Sequence, residues 1–204
     1  DYRLTEKLTK NMRLFISGSA PLLSETHEEF TKRTGHHILE RYGMTETNMI
    51  TSNPYHGERR PGTVGKPLAD VQMKITDPET GKEMAEGKIG MIEVRGPNVF
   101  KGYWNMPDKT ALELRETGYF ITGDLGKLSS DGYLSIVGRE KDLIISGGYN
   151  VYPKEIEDIL NELNQIDETA VFGIQDNDLG ERVVAAVVLE NDKNFNQRKT
   201  EVFV

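Results

Sequence analysis

Residues 1–70 carry the apolar pattern of a strand, a helix and a second strand. A short apolar run, Met12–Ser17, predicts a buried strand followed by a turn. Residues 22–34 have apolar positions at helical spacing and stop before Gly35, a residue suited to a helix C-terminal cap. His37–Arg41 then predicts a second short strand. This order favours a parallel α/β layer.

Residues 71–138 change to a pattern that is typical of short strands and tight turns. Three strand candidates are separated by proline, glycine and aspartate: Val71–Ile75, Ile89–Val94 and Tyr133–Val137. Asp77–Gly81 lacks the ligand spacing of a calcium loop, so we interpret it as a hairpin turn. We therefore expect this middle part to form a small antiparallel β unit.

Residues 143–204 predict a separate α+β unit. A hairpin-like segment, Leu143–Val151, precedes a helix that begins at Pro153, with apolar residues at helical spacing. The strand candidates Ala170–Ile174 and Val183–Leu189 follow. We place a boundary at the charged stretch 139–142. The polar tail, residues 191–204, shows no evident structure, so we expect this unit to be truncated.

Composition excludes several classes of protein. Hydrophobic residues make up 36% and charged residues 28% of the 204-residue chain, as in ordinary globular proteins. Its 33 acidic and 25 basic residues give a net charge of −8, which argues against nucleic acid or anionic membranes as main partners. There are no cysteines, which excludes disulfides, thiolate metal sites and cysteine nucleophiles. No apolar run approaches membrane-spanning length.

The amino-terminal residues bear on the origin of the chain. Asp1–Arg3 lacks an initiating methionine and does not start a signal peptide, so we expect the chain to begin inside a longer protein. The lack of cysteine fits a reducing compartment. The cytoplasm is therefore the expected location, with the mitochondrial matrix as an open alternative, and the oligomeric state is left open.

The segment Tyr42-Gly43-Met44-Thr45-Glu46 sets a hydroxyl beside a carboxylate just after a glycine. Thr45 is able to hydrogen-bond a phosphate oxygen, and Glu46 is able to bind a hard cation such as Mg²⁺. On a regular strand these neighbours would point to opposite faces, so a shared ligand requires a loop at the strand end. The alternative is a plain strand-ending turn with two exposed polar residues.

Other polar residues are weaker candidates when they are taken singly. The turn Ser17–Pro21 follows a predicted strand, where ligands bind in open α/β sheets, although a plain strand-to-helix turn is the favoured interpretation of these residues alone. Asp124 lies between glycines and could accept hydrogen bonds from two sugar hydroxyls, or it could bond its own turn. Arg139 could donate to the same hydroxyls, and its alternative is a surface charge.

These segments occur in the order found in a known family. The chain resembles the adenylate-forming acyl-CoA synthetases across five blocks: Ser17–Leu22, Tyr42–Thr47, Gly62–Pro67, Tyr119–Gly126 and Gly138–Glu157. The resemblance extends to about Leu189. It implies the end of a large α/β AMP-binding domain (residues 1–138) with a small β-barrel subdomain (71–138). It also implies a hinge at 139–142 and a truncated α+β mobile domain (143–204).

The resemblance further implies ATP, Mg²⁺ and coenzyme A as ligands in a two-step, AMP-forming ligase reaction. Thr45 and Glu46 would be catalytic, and Glu46 would bind Mg²⁺. Lys141 matches the family's hinge position, and Gly148 matches the glycine along which coenzyme A passes. The nucleotide would contact Gly18, Ser19, Ala20, Tyr42, Gly43, Met44, Thr45, Asp124 and Arg139.

Within the family, the malonyl-CoA synthetase branch is the most similar. The segments that carry this likeness are Arg41–Pro54, Glu58–Gly62, Gly90–Lys109 and Gly123–Lys127. A malonate-like substrate needs a cation for its second carboxylate. Arg is well suited to bind carboxylates, so Arg60 is the candidate and Arg59 a weaker one. Their alternative is a solvated loop.

Two family features are missing from this sequence. The phosphate loop with its lysine would lie upstream of these residues, and the C-terminal catalytic lysine would lie downstream. We therefore expect little or no adenylation by the isolated chain. The open alternatives are a synthetase for another short, medium-chain or aromatic acid and a non-catalytic nucleotide-binding fragment. A peptide-synthetase adenylation domain is less favoured.

Overall fold

The computed structural model describes residues 4–163, 165–189 and 201–203. The chain divides into two units, Asp1–Ile136 and Val137–Val204. The division falls within a strand just ahead of residues 139–142, whose assignment as a hinge stays a prediction. No helix in the described ranges is long and apolar enough to cross a membrane.

The first unit begins with a small mixed sheet. Its described elements are α1 (Glu6–Thr9), β1 (Ile16–Ser17), α2 (Ser24–Thr34), β2 (Leu39–Met44), β3 (Asn48–Ser52) and β4 (Lys66–Pro67). The sheet order is β1-β2-β3-β4. The β1 and β2 strands are parallel, whereas β3 pairs antiparallel with β2 and β4. The predicted parallel strand–helix–strand layer is therefore confirmed, although most of Met12–Ser17 lies outside the strand.

A glycine cap ends α2, and a polar contact holds the helix against this sheet. Gly35 ends the helix in the left-handed conformation (φ 72°), and its N–H donates to the Thr31 carbonyl. His27 is only 1% exposed, and its Nδ1 lies 2.9 Å from Oε1 of the buried Glu40 on β2. This polar contact fixes the register of helix on strand.

A second sheet of the first unit follows. Its elements are β5 (Gln72–Thr76), β6 (Gly90–Arg95), α3 (Pro107–Glu113), β7 (Phe120–Leu128) and β8 (Leu134–Arg139). The strand order is β5-β6-β7-β8, and the β5–β6 and β6–β7 pairs are antiparallel. In the described residues this sheet is open, so the expected β-barrel subdomain is not confirmed. Asp77 closes the hairpin turn as predicted, by accepting N–H bonds from Glu79 and Thr80.

The core of the first unit joins residues from both of its sheets. Its fully buried side chains come from β3, β6, β7 and β8: Ile50, Ile92, Val94, Phe120 and Leu134. Tyr42 of β2 belongs to the same cluster. Burying these apolar side chains holds the strand ends that carry the candidate site in fixed positions.

The second unit is α+β, as predicted. Its described elements are a short 3-10 helix (Glu140–Asp142), β9 (Ile144–Ser146), β10 (Tyr149–Val151), α4 (Pro153–Asn161), β11 (Ile166–Asp176), β12 (Gly180–Leu189) and β13 (Glu201–Phe203). The strand order is β10-β9-β12-β11, with β13 also paired to β12. The expectation of an unstructured tail is wrong at β13, whose backbone pairs antiparallel with β12. The rest of that expectation, over 191–200 and at Val204, falls outside the described residues.

Candidate functional site

The turn Ser17–Pro21 lies where the sequence predicts it, directly after β1. Ser17 is the register partner of Glu40 on the parallel strand β2, so the carboxyl ends of both strands share one edge. A Cβ on Gly18 would lie 3.3 Å from Cγ of Arg41, which places this turn against the start of the Tyr42 segment. Ser19 has a left-handed backbone (φ 71°), and Gly18, Ser19 and Ala20 are all exposed. The turn therefore presents its small residues to solvent beside β2.

Gly43 allows the bend that brings Thr45 and Glu46 out of the strand. The pairing of β2 with β3 shifts register between Tyr42 and Gly43, which is a β-bulge. A Cβ at Gly43 would lie 2.1 Å from the carbonyl oxygen of Asn48 across the hairpin, so only glycine fits. The strand ends at Met44, and residues 45–47 form the turn, as expected for a shared ligand.

Tyr42 and Asp124 are joined although they lie far apart in the sequence. The Tyr42 hydroxyl donates to Asp124 Oδ2 over 2.5 Å. Asp124 lies within β7 and is 5% exposed, and Tyr42 is 9% exposed. The Asp124 carboxylate therefore accepts a hydrogen bond from a different strand, while the Asp124 N–H donates to Thr122 Oγ1. Two of the predicted nucleotide-binding residues therefore form one unit.

Glu46 is held by residues that the sequence analysis did not identify. The Tyr103 hydroxyl lies 3.1 Å from Glu46 Oε1 and 2.5 Å from Glu113 Oε2. Burial and the two neighbouring carboxylates raise the pKa of Tyr103, so its hydroxyl stays protonated at neutral pH. Phe100 N–H donates to the Glu46 carbonyl over 2.8 Å. The Asn98 side chain donates to the Thr47 carbonyl.

The only sequence signal for these contacts was the resemblance carried by Gly90–Lys109. Asn98, Phe100 and Tyr103 belong to that segment but match no chemical motif, because their roles depend on the return of this loop to the turn at 45–47. Long-range contacts of this kind leave no periodicity in the sequence.

The chemistry of the turn fits a magnesium ion that is shared with a phosphate. Thr45 is exposed and Glu46 is half-buried, so this turn places a hydroxyl and a carboxylate near solvent. Among the described residues, no group of three or more His, Cys, Asp or Glu side chains could hold a metal ion. Magnesium commonly binds through one or two carboxylates together with waters and substrate phosphates, and therefore does not need such a cage.

The two arginines of the loop after β3 are engaged differently. The Arg59 guanidinium donates to the backbone carbonyls of Pro54, Tyr55 and His37. Its neighbour Arg60 binds the carboxylates of Glu58 and Asp131. Neither arginine is described in contact with Tyr42, Glu46 or Asp124.

Arg60 forms an ion-pair cluster at the surface. Its guanidinium contacts Glu58 Oε2 at 2.9 Å and Asp131 Oδ2 at 2.8 Å, and its Cζ lies 4.1 Å from the centre of the Tyr133 ring. Hydrogen bonds from Arg60 and then Ser129 lower the pKa of Asp131 to about 2. Arg60 also lowers the pKa of Glu58. The position therefore already binds carboxylates.

The segment Gly62–Pro67 has a structural explanation. The Val64 N–H donates to the Leu134 carbonyl, and the Leu134 N–H donates to the Gly65 carbonyl. Gly65 has φ 80°, and a Cβ there would lie 2.0 Å from the backbone of Ser52. The glycine is therefore required by the close approach of two backbones.

Three candidate residues belong to the second unit. Arg139 ends β8, and the exposed Lys141 lies in the short 3-10 helix. Gly147 and Gly148 form the two-residue loop between β9 and β10, and both have positive φ, 56° and 82°. Such loops favour glycine because their backbone conformation disfavours a Cβ. Space around Gly148 is open, with nothing within 4 Å of an added Cβ.

Comparison with known proteins places these features in a family. The model for AMP-binding enzymes matches residues 3–104, and the model for the AMP-binding enzyme C-terminal domain matches residues 155–203. The second match extends past Leu189, the predicted limit of the resemblance.

Similar curated proteins are CoA ligases. A long-chain-fatty-acid–CoA ligase of Bacillus subtilis is 41% identical over 92% of this chain and 34% of its own length. A malonate–CoA ligase of Arabidopsis thaliana is 44% identical over 89% of this chain and 29% of its own length. The chain thus spans about a third of the curated relatives it matches.

A solved structure is more similar still. ATP-bound MatB from Rhodopseudomonas palustris is 59% identical, with a TM-score of 0.92, over 97% of this chain and 39% of the MatB chain. The ordered motifs, the fold and these relatives agree. The chain belongs to the AMP-binding enzyme family.

Proposed function

We propose that this chain forms part of an ATP-dependent, AMP-forming ligase that joins malonate to coenzyme A. The observation that carries the proposal is the 2.5 Å hydrogen bond between Tyr42 and Asp124. It joins the residue assigned to adenine to the residue assigned to the ribose, as one nucleotide site requires. The choice of malonate rests on identity: 59% to MatB and 44% to a malonate–CoA ligase, against 41% to a long-chain-fatty-acid–CoA ligase.

The proposed reaction has two steps. A carboxylate oxygen of the acid attacks the α-phosphorus of ATP, the bond to the β-phosphate oxygen breaks, and pyrophosphate leaves. The coenzyme A sulfur then attacks the acyl carbon, the acyl–oxygen bond to AMP breaks, and AMP leaves as the thiol proton passes to solvent. Both attacks bring negative groups together, so electrostatic stabilisation is the main requirement of the site.

The residues of the first unit are assigned to the nucleotide. The exposed turn of Gly18, Ser19 and Ala20 would flank adenine together with the Tyr42 ring. Asp124, whose Oδ2 accepts from the Tyr42 hydroxyl, would accept hydrogen bonds from the ribose beside that ring. The register shift between Tyr42 and Gly43 would direct the residues after Met44 towards the phosphates.

Thr45 and Glu46 are assigned to the triphosphate end of the nucleotide. The exposed Thr45 hydroxyl would donate to a phosphate oxygen, and the Glu46 carboxylate would hold Mg²⁺. Magnesium supplies positive charge that offsets the phosphate oxygens during attack.

Residues of the second unit are assigned to the ribose and to the thioester step. Arg139 would donate to ribose hydroxyls, and Lys141 would lie at a hinge that rotates the unit between the two reactions. Gly148 would let the pantetheine arm pass close to the backbone, for which the open space around it is suitable.

Arg60 is our candidate for the second carboxylate of malonate. Its support is that the guanidinium already binds two carboxylates and is 34% exposed, so a substrate carboxylate could replace one of them. Arg59 has less support, because three backbone carbonyls occupy its guanidinium.

A chimera tests the function directly. This chain would replace the matching segment of Rhodopseudomonas palustris MatB, and pyrophosphate release would be measured with malonate, methylmalonate and acetate. We expect malonate to be preferred, and Arg60→Ala to remove that preference. A chimera that is active on all three acids alike would contradict malonate, and unchanged selectivity in Arg60→Ala would exclude Arg60.

A ligase for another acid is the second candidate, favoured by the 41% identity to a long-chain-fatty-acid–CoA ligase. Preference of the chimera for a fatty acid would support it. We also expect the isolated 204-residue chain to release little or no pyrophosphate with malonate, and rapid release would contradict that expectation.

A further inference from the structure

Tyr103 stands between two carboxylates on the loop that returns to the turn at 45–47. Its hydroxyl lies 3.1 Å from Glu46 Oε1 and 2.5 Å from Glu113 Oε2. A phenol has one proton, so it donates to only one carboxylate at a time. Glu46 thus has a hydrogen-bond donor beside one of its oxygens, while its other oxygen is not described in contact with Tyr103.

The ring of Tyr103 is itself fixed on several sides. It packs edge-on against Phe100, with ring centres 4.8 Å apart. The ammonium of Lys109 lies 4.4 Å from the ring centre and 3.8 Å from Glu113 Oε1. The Tyr103 N–H donates to Thr110 Oγ1 over 2.9 Å. These contacts leave the hydroxyl little freedom of position.

The same loop also fixes the backbone of Glu46. Phe100 N–H donates to the Glu46 carbonyl, so backbone and side chain of one glutamate are both held from one segment. Because this loop holds both the backbone carbonyl and the Oε1 atom of Glu46, it also sets the direction of Oε2. The described contacts of the neighbouring, exposed Thr45 include no such pair of hydrogen bonds from this loop. The loop therefore fixes the Glu46 carboxylate in particular.

We propose that Tyr103 is a positioning residue that orients the Glu46 carboxylate towards a divalent cation bound with the nucleotide. The proposal rests on the proposed function, in which Glu46 holds Mg²⁺. Groups that hydrogen-bond a metal ligand commonly change metal affinity about 10-fold or more when they are removed. Glu113 and Lys109 hold the Tyr103 hydroxyl and ring in place.

The test uses the chimera with Rhodopseudomonas palustris MatB and measures Mn²⁺ binding by electron paramagnetic resonance, with a non-hydrolysable ATP analogue present. Tyr103→Phe keeps the ring and removes the hydroxyl, and we expect Mn²⁺ affinity to fall by about 10-fold. Thermal unfolding without metal separates this effect from a loss of fold.

Two variants serve as controls. Tyr119→Phe removes the hydroxyl of a ring that is also covered by cations, Lys74 at 4.4 Å and Arg95 at 4.7 Å, but that hydroxyl faces the side chain of Gln72. We expect its Mn²⁺ affinity to be unchanged. Glu113→Gln removes the negative charge that competes with Glu46 for the phenolic proton, so we expect affinity at or above that of the parent chimera.

The outcomes are distinct. Equal Mn²⁺ affinity in Tyr103→Phe and the parent would overturn the role of Tyr103 alone. Equal losses in Tyr103→Phe and Glu113→Gln would also overturn it, because they would indicate a purely structural contact. If the parent chimera binds neither Mn²⁺ nor the analogue, the proposed function fails, and the inference fails with it.

Discussion

At the scale of single residues, the hairpin that carries Thr45 and Glu46 depends on the missing side chain of Gly43. A Cβ there would lie 2.1 Å from the Asn48 carbonyl oxygen and 2.9 Å from Met49 Cα, so the two strands would have to separate. We expect Gly43→Ala to destabilise the chain by roughly 2 kcal/mol, the usual cost of overpacking. Urea unfolding followed by circular dichroism measures this change.

Gly138→Ala is the matched control for that substitution. Gly138 also lies in a strand, but nothing is within 4 Å of a Cβ added there. We expect its unfolding midpoint to shift little. Equal midpoints for the two variants would mean that the bulge relaxes at no cost and that Gly43 is not structurally required.

Single residues also show where sequence reasoning stops. Thr45 and Glu46 were identifiable because a hydroxyl, a carboxylate and a glycine stand together in the chain, and their chemistry is local. Tyr103 was not identifiable, because its partners Glu46 and Glu113 lie 57 and 10 residues away. The carboxylates around Arg60 were missed for the same reason, since Asp131 is 71 residues distant.

At the scale of elements, the predictions succeed where burial imposes a period. The α2 and α4 helices and the β9–β10 hairpin follow from apolar spacing, Gly35, Pro153 and the Gly147-Gly148 pair. The β3 strand was not predicted, because the turn before it was identified from the chemistry of Thr45 and Glu46 and the apolar pattern after it is short. The open second sheet replaced an expected barrel, since strand closure depends on pairings that no local pattern encodes.

A buried carboxylate joins elements of this second sheet. Glu93 of β6 is 0% exposed, and it accepts hydrogen bonds from Arg115 Nε at 2.9 Å and Thr76 Oγ1 at 2.9 Å. Lys74 of β5 lies 3.3 Å from its other oxygen. Burial alone would raise the pKa of Glu93, but these partners outweigh burial and lower it below the ordinary value of 4.5.

The sign of the pH dependence follows from that lowered pKa. The unfolded carboxyl takes up its proton near 4.5, before the folded one does, so the network stabilises the fold fully above that pH. Its contribution is lost as the pH falls through the folded pKa. Arg115→Ala removes a partner that offsets the effect of burial on Glu93. The folded pKa of Glu93 then rises, and its ionised form becomes costly at neutral pH.

We expect Arg115→Ala to lower the free energy of unfolding by roughly 2 kcal/mol at pH 7, less than for a fully buried pair because Lys74 remains. The difference from the parent should shrink as the pH falls below 4.5. Urea unfolding at pH 7, 5 and 3.5 measures it. Arg95→Ala is the control, since that guanidinium donates to Gln72 and to the Thr117 carbonyl, and a pH-independent loss in Arg115→Ala would contradict the account.

At the scale of the whole molecule, each of the two units has its own buried apolar set. In the first unit this set includes Ile50, which is 0% exposed. In the second unit Ile144 is 2% exposed, and Val171, Val184 and Val187 are also buried. Because burial of apolar area is the main favourable term in folding, each set stabilises the unit that contains it.

We therefore expect a cavity made in one unit to loosen mainly that unit. Ile50→Ala should cost about 3 kcal/mol and speed amide hydrogen exchange across residues 4–136, whereas Ile144→Ala should act on the described residues after 136. Exchange measured by mass spectrometry separates the two regions. Ile145→Ala is the control, because that neighbour on β9 is 54% exposed and its truncation leaves no buried cavity.

Equal acceleration of both regions by either buried substitution would show that the chain opens as one cooperative unit. A ligase that rotates one domain between its two reactions needs the opposite result, because the rotating part has to keep its own fold while its surroundings change.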